Sequence, residues 1–124
     1  MYVRPVRTDE PSPLSDDERA LLDAVLEHDF PGVRELREQA QHVMAKKGCE
    51  CGCGTIDLVP DGTPVHRSDA PNPVPVDGIV SSPDGEEVGG LILFVSDGML
   101  QSLEIYSHGE PLPLPGLDQV TWRA

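Results

Sequence analysis

Two runs of strand-forming residues, 88–96 and 99–106, are separated by Asp97-Gly98 alone. No other feature constrains the fold as much. Asp-Gly between apolar runs favours a type I′ turn, whose twist matches that of a two-stranded ribbon. A regular two-residue turn pairs Ser96 with Met99, Ile92 with Leu103 and Gly90 with Ile105. Ile92, Phe94, Leu103 and Ile105 then share one face, the expected seat for helices. Leu91, Leu93, Val95, Leu100 and Tyr106 share the other, interrupted by Ser102 and Glu104. A sheet with one wet face does not carry so many aliphatics there. The second face therefore needs cover, from within the chain or from another chain. The proline-rich segments are long enough to cross a small sheet, so intramolecular cover and a monomer are the expectation. Leu91, Leu93 and Tyr106 are the candidate contacts if the cover is a partner.

The first part of the chain has a different period. Ser15 and Glu18 form a capping box ahead of Leu21, Leu22, Val25 and Leu26, an apolar stripe at helical spacing. Phe30-Pro31-Gly32 ends that helix, since a residue preceding proline avoids the α region. Val33, Leu36, Ala40, Val43 and Met44 then mark one face of a second helix. Lys46, Lys47 and Gly48 suit its C-terminal end. Further strands are expected at 55–59 and 76–81, with a loop at 60–75 that contains five prolines. The expected fold class is α+β: two N-terminal helices packed on a mostly antiparallel sheet of about four strands, with long Pro-rich loops. Residues 1–13 and 118–124 read as tails around a single domain at 14–117.

Charge is unevenly spread. Residues 1–47 carry 7 basic and 10 acidic side chains, net −3. Residues 48–124 carry 2 basic and 12 acidic, net −10, which completes the total of −13. Such a surface repels a phosphate backbone and attracts a basic protein or a cation. Glu86 and Glu87, after the Pro83-Asp84-Gly85 turn, are the candidate acidic contacts. The first ten residues lack an apolar signal region, and the run 91–95 is too short to span a bilayer. An odd count of three cysteines fits a reducing compartment, so a cytoplasmic location is expected.

Cys49, Cys51 and Cys53 fall within five residues, interleaved with Glu50 and Gly52. Clustered thiolates suit zinc or copper(I), and flanking glycines let backbone wrap an ion. One-residue spacing does not close a tetrahedron, so a fourth ligand must come from elsewhere, with His66 the candidate beside His42 and His108. The competing reading makes the cysteines small buried hydrophobes at a helix-to-strand crossover. A helix C-terminus before Cys49, together with Glu50, raises a thiol pKa, which argues against thiol catalysis. No nucleophile elbow, EF-hand pattern or phosphate-binding glycine loop is present.

The run Phe30-Pro31-Gly32, Leu36-Arg37-Glu38-Gln39, Cys49-x-Cys-Gly-Cys and Leu103-Glu104-Ile105-Tyr106 resembles a family of uncharacterised small acidic bacterial proteins of this length. The resemblance implies a stand-alone bacterial domain and no particular activity. The expected function is non-enzymatic binding of a protein partner, through the acidic surface or the second apolar sheet face. A thiolate metal-binding protein is the alternative.

Overall fold

The computed structural model describes residues 8, 10–48 and 53–124. Cys49 and Cys51 lie outside the described residues. Among those described are α1 (Asp16–Leu26), α2 (Val33–Ala40) and the strands β1 (Val43–Lys47), β2 (Ile56–Pro60), β3 (Asp77–Ser81), β4 (Glu87–Ser96), β5 (Met99–Ser107) and β6 (Val120–Arg123). The strands form one antiparallel sheet in the order β1-β2-β5-β4-β3-β6. The class is α+β, with six strands where about four were expected.

Helix α1 begins as its sequence dictates. Glu18 N–H donates to Ser15 Oγ at 3.1 Å, and Ser15 N–H donates to Glu18 Oε1 at 2.8 Å. Helix α2 ends at Ala40, four residues short of the expected Met44. Val43 fits a helical stripe and an alternating strand equally well, and pairing with β2 decides between them. Val43 and Ala45 are buried, while Met44 and Lys46 point to the opposite face. A whole strand therefore stands in the sequence between the end of α2 and Gly48.

The two helices cap each other. The Arg19 guanidinium of α1 donates to Ala40 O at the end of α2. Arg37 Nε of α2 donates to Leu26 O at the end of α1 at 2.6 Å. Each cation meets the negative end of the neighbouring helix and satisfies a carbonyl that has no intrahelical donor.

The β4–β5 turn has the expected type, with Asp97 at φ 52° and Gly98 at φ 77°. The register beyond it differs from expectation. Ser96 pairs with Met99 and Val95 with Leu100, but Phe94 then pairs with Ser102, which leaves Gln101 as an extra residue on β5. This bulge turns the rest of β5 over. Leu91 now pairs with Ile105 and Leu93 with Leu103. Leu91, Leu93, Val95, Leu100, Leu103 and Ile105 all face the helices and are at most 3% exposed. The expected division into two apolar faces is thereby corrected: one extra polar residue gathers the aliphatics onto the inner face. Leu21, Leu22, Val25 and Leu36 pack against them in the same core.

The long loop after β2 is pinned along its length. Gln39, 1% exposed, donates from Nε2 to His66 O at 2.8 Å and to Gly98 O at 2.9 Å. Its Oε1 accepts from Leu100 N–H at 2.8 Å. One buried amide thus joins α2, the loop and the hairpin. Further along, Ser68 Oγ donates to Gly32 O, and Val74 N–H donates to Leu93 O. Residues 118–124, expected as a tail, instead complete a 3-10 turn at Leu117–Gln119 and supply β6 on the far edge of β3. At the opposite edge, Ser12 and Ala45 exchange backbone hydrogen bonds of 3.0 and 2.8 Å.

Candidate interaction surface

Because side chains alternate along each strand, the sheet's outer face follows from the inner one. Cross-strand neighbours run Lys46, Asp57, Ser102 and Phe94 in one row. Glu104, Ile92, Asp77 and Arg123 form the next, and Tyr106, Gly90, Ile79 and Thr121 a third. Ile79, Ile92, Phe94 and Tyr106 are half-buried. The Tyr106 ring lies across β4 because Gly90 has no side chain, and a Cβ there would overlap the ring. The helices contribute their apolar residues to the inner core, so neither α1 nor α2 covers this face.

The charges on the outer face are unevenly matched. Arg123 Nη2 sits 2.6 Å from Asp77 Oδ2, and this carboxylate raises the guanidinium pKa further. Glu87 Oε2 lies 2.9 Å from His108 Nε2. By contrast, Asp57 and Glu104 have no side-chain hydrogen bond or ion pair among the described residues. They line a cleft of about 450 Å³ with Ser102, Tyr106 and Cys53.

The sequence-derived candidates separate on this structure. Leu91 and Leu93 are fully buried, so they are core residues and not contacts for a partner. Glu86 and Glu87 are exposed at the β3–β4 turn, and Tyr106 is on the outer face. Cys53 Sγ lies 3.2 Å from Thr55 Oγ1, which in turn accepts from Ile105 N–H at 2.9 Å. His66 is held at the opposite end of β5, where Gln39 binds both its carbonyl and that of Gly98. Seven residues of strand separate Gly98 from Ile105, roughly 20 Å. A shared zinc ion needs its donor atoms within about 4 Å of one another, so His66 does not converge with Cys53. Among the described residues, no group of three His, Cys, Asp or Glu side chains is placed to hold a metal ion.

Sequence reasoning missed Ile92, Phe94, Asp57 and Glu104 as surface candidates. The first two were assigned to the helix side by the regular register, and the carboxylates become neighbours only when β2 and β5 pair. The signal that was present was the surplus of aliphatics on both faces, which only an added residue in one strand resolves.

No helix among the described residues is long and apolar enough to cross a membrane. Comparison with protein-family models, with curated proteins and with solved structures finds no match for this chain. The functional reading therefore rests on the chain's own chemistry.

Proposed function

We propose that this protein is a non-enzymatic binding protein that engages a basic protein partner by charge. The observation that carries the reading is how its cations are used. Arg19, Arg37, Arg67 and Arg123 each lie within 4 Å of a carboxylate, at 3.9, 3.2, 2.5 and 2.6 Å from Asp23, Asp29, Asp97 and Asp77. Arg19 and Arg37 are also committed to capping helices. These four of the chain's nine lysines and arginines are engaged by its own carboxylates, while carboxylates such as Asp57, Glu104 and Glu86 face outward. A net charge of −13 then gives a long-range field that draws in a basic surface.

Long-range attraction of this kind is screened over about 8 Å at physiological ionic strength. Association with a basic protein such as a histone-like or lysozyme-type probe should weaken steeply between low and physiological salt. Glu86→Lys with Glu87→Lys, which moves the net charge by four units, should slow association. Salt-independent association, or an unchanged rate in the double variant, would sink the reading.

A further inference from the structure

Charge alone says which class of partner is drawn in, but not where it seats. We infer that the outer face of the sheet is the docking surface, and that its occupant is a basic amphipathic segment of a partner protein. The inference rests on the charge-based reading above and adds a location and a recognition chemistry.

The outer face carries apolar and acidic groups side by side. Phe94, Ile92 and Ile79 run across β4 and β3, with the Tyr106 ring lying over Gly90 between the ends of the row. Phe94 stands two residues along β4 from Ile92, and Ile79 is diagonal to Ile92 across β3, spacings of about 7 Å that long and aromatic side chains bridge, so these side chains form an apolar strip. Along the β5 and β2 side of the strip stand Glu104, next to Ile92, and Asp57, next to Ser102. Neither carboxylate makes an ion pair among the described residues, Lys46 being the cross-strand neighbour of Asp57 alone, and beside them the cleft of about 450 Å³ has room for an extended lysine or arginine side chain. An amphipathic basic segment matches this pattern. Its apolar stripe covers Phe94 and Ile92 while its cationic flank reaches Glu104 and Asp57.

A second copy of the chain does not match. It would bring another −13 charge against the first and set Asp57 and Glu104 beside further carboxylates. The inner face offers no rival site, since its aliphatics are consumed by the helices. On the edge beyond β1, Thr8 and Ser12 hydrogen-bond to Lys47 and Ala45.

The test is an amide-shift titration of the intact protein with an amphipathic lysine–leucine peptide, alongside binding calorimetry. The expected shifts cluster on residues of β2, β4 and β5 around Asp57, Phe94 and Glu104. Phe94→Ser should weaken binding roughly tenfold, as loss of an aromatic anchor does. Glu104→Gln and Asp57→Asn should each weaken it about threefold, whereas Glu86→Gln should change it by less than about twofold. If Phe94→Ser unfolds the protein, the two charge-removing variants carry the test alone. Salt-sensitive binding with shifts on α1, α2 or the 61–76 loop would overturn the location and leave the charge reading standing. Absence of salt-sensitive binding would overturn both. Self-association through this face in sedimentation would overturn the choice of occupant.

Discussion

The two faces of the sheet are made by the same strands, yet they were shaped by different demands. On the inner face, Leu91, Leu93 and Leu103 are fully buried beneath two helices. On the outer face, their immediate neighbours Ile92, Phe94 and Glu104 remain half-exposed. These inner leucines pack in one core with the helices, so their chemistry is uniform. The outer positions mix aliphatic, aromatic and acidic groups, which packing within the chain does not require. The difference teaches that the outer face holds information the fold itself does not use, and that is where recognition has room to reside.

The most direct way to break this comparison is to put a charge on the inner face. Leu103→Glu forfeits roughly 1.5–3 kcal/mol of burial at a position that is fully buried. A buried carboxylate without a partner costs several kcal/mol more. The variant should therefore lose the cooperative unfolding transition seen by circular dichroism. Deleting Gln101 makes the complementary test. Leu100 then directly precedes Ser102, and a regular hairpin forms the pairs already present, Phe94 with Ser102, Leu93 with Leu103 and Leu91 with Ile105. The same side chains stay inward, so this variant should remain folded. A folded Leu103→Glu variant, or an unfolded deletion variant, would show that this register does not decide the faces.

A milder version compares neighbours on one strand. Leu93→Ala removes a fully buried side chain and should cost about 2–5 kcal/mol in urea unfolding. Phe94→Ala, one residue along and facing outward, removes a larger side chain but should cost under about 1.5 kcal/mol. Equal costs would mean that the outer face is part of the core after all, and would remove the basis for treating it as a docking surface.

These contrasts also mark how far the sequence could be read. The capping box at Ser15 and Glu18 and the Asp97-Gly98 turn are local, each decided within four residues, and both are legible. The end of α2 was not, because Ala40 and Val43 satisfy helical spacing and strand pairing alike, and a distant strand makes the choice. Val120 to Arg123 is too short to stand out after a proline-rich stretch and becomes a strand only because β3 has an open edge. The bulge at Gln101 has no signature of its own. The acidic character of the surface was plain from composition, but the pairing of Asp57 with Ser102 that places it near Glu104 is a non-local event.

The loop at 61–76, a lid tied to α2 and the hairpin, can be probed at Gln39. Its amide serves three backbone groups at once, at 2.8, 2.9 and 2.8 Å. Gln39→Ala leaves the carbonyls of His66 and Gly98 and the N–H of Leu100 without that partner. Water entering the gap satisfies part of the loss, so the expected cost is about 2–3 kcal/mol. Amide exchange at Leu100 should accelerate more than at Ile92 on the same sheet. Uniform acceleration would mean that the side chain supports global stability and not the lid in particular.

The smallest effect expected concerns the same lid and acid pH. Glu38, on α2, accepts the His66 backbone N–H at 2.8 Å and lies 3.1 Å from the His66 ring. The backbone hydrogen bond, then the ring contact, hold its carboxyl below the ordinary value of 4.5. Asp61, at the start of the same loop, is likewise held below 3.8, chiefly by the N–H of Thr63. A carboxyl with a lowered pKa contributes stability that is fully present above its unfolded-state value and is lost as pH falls through its folded-state value. The tether of the loop to α2 should therefore be intact at neutral pH and weaken as the pH falls below the ordinary carboxyl value of 4.5. Both groups are solvent-exposed, so the loss is a local loosening of the loop and not unfolding of the sheet. Protection of the His66 amide should fall across that window while the Leu93 amide stays protected. Glu38→Gln keeps an acceptor oxygen but has no charge to lose, and should flatten the acid dependence at His66. If parent and variant lose His66 protection along the same curve, Glu38 is not the group that holds the loop at His66.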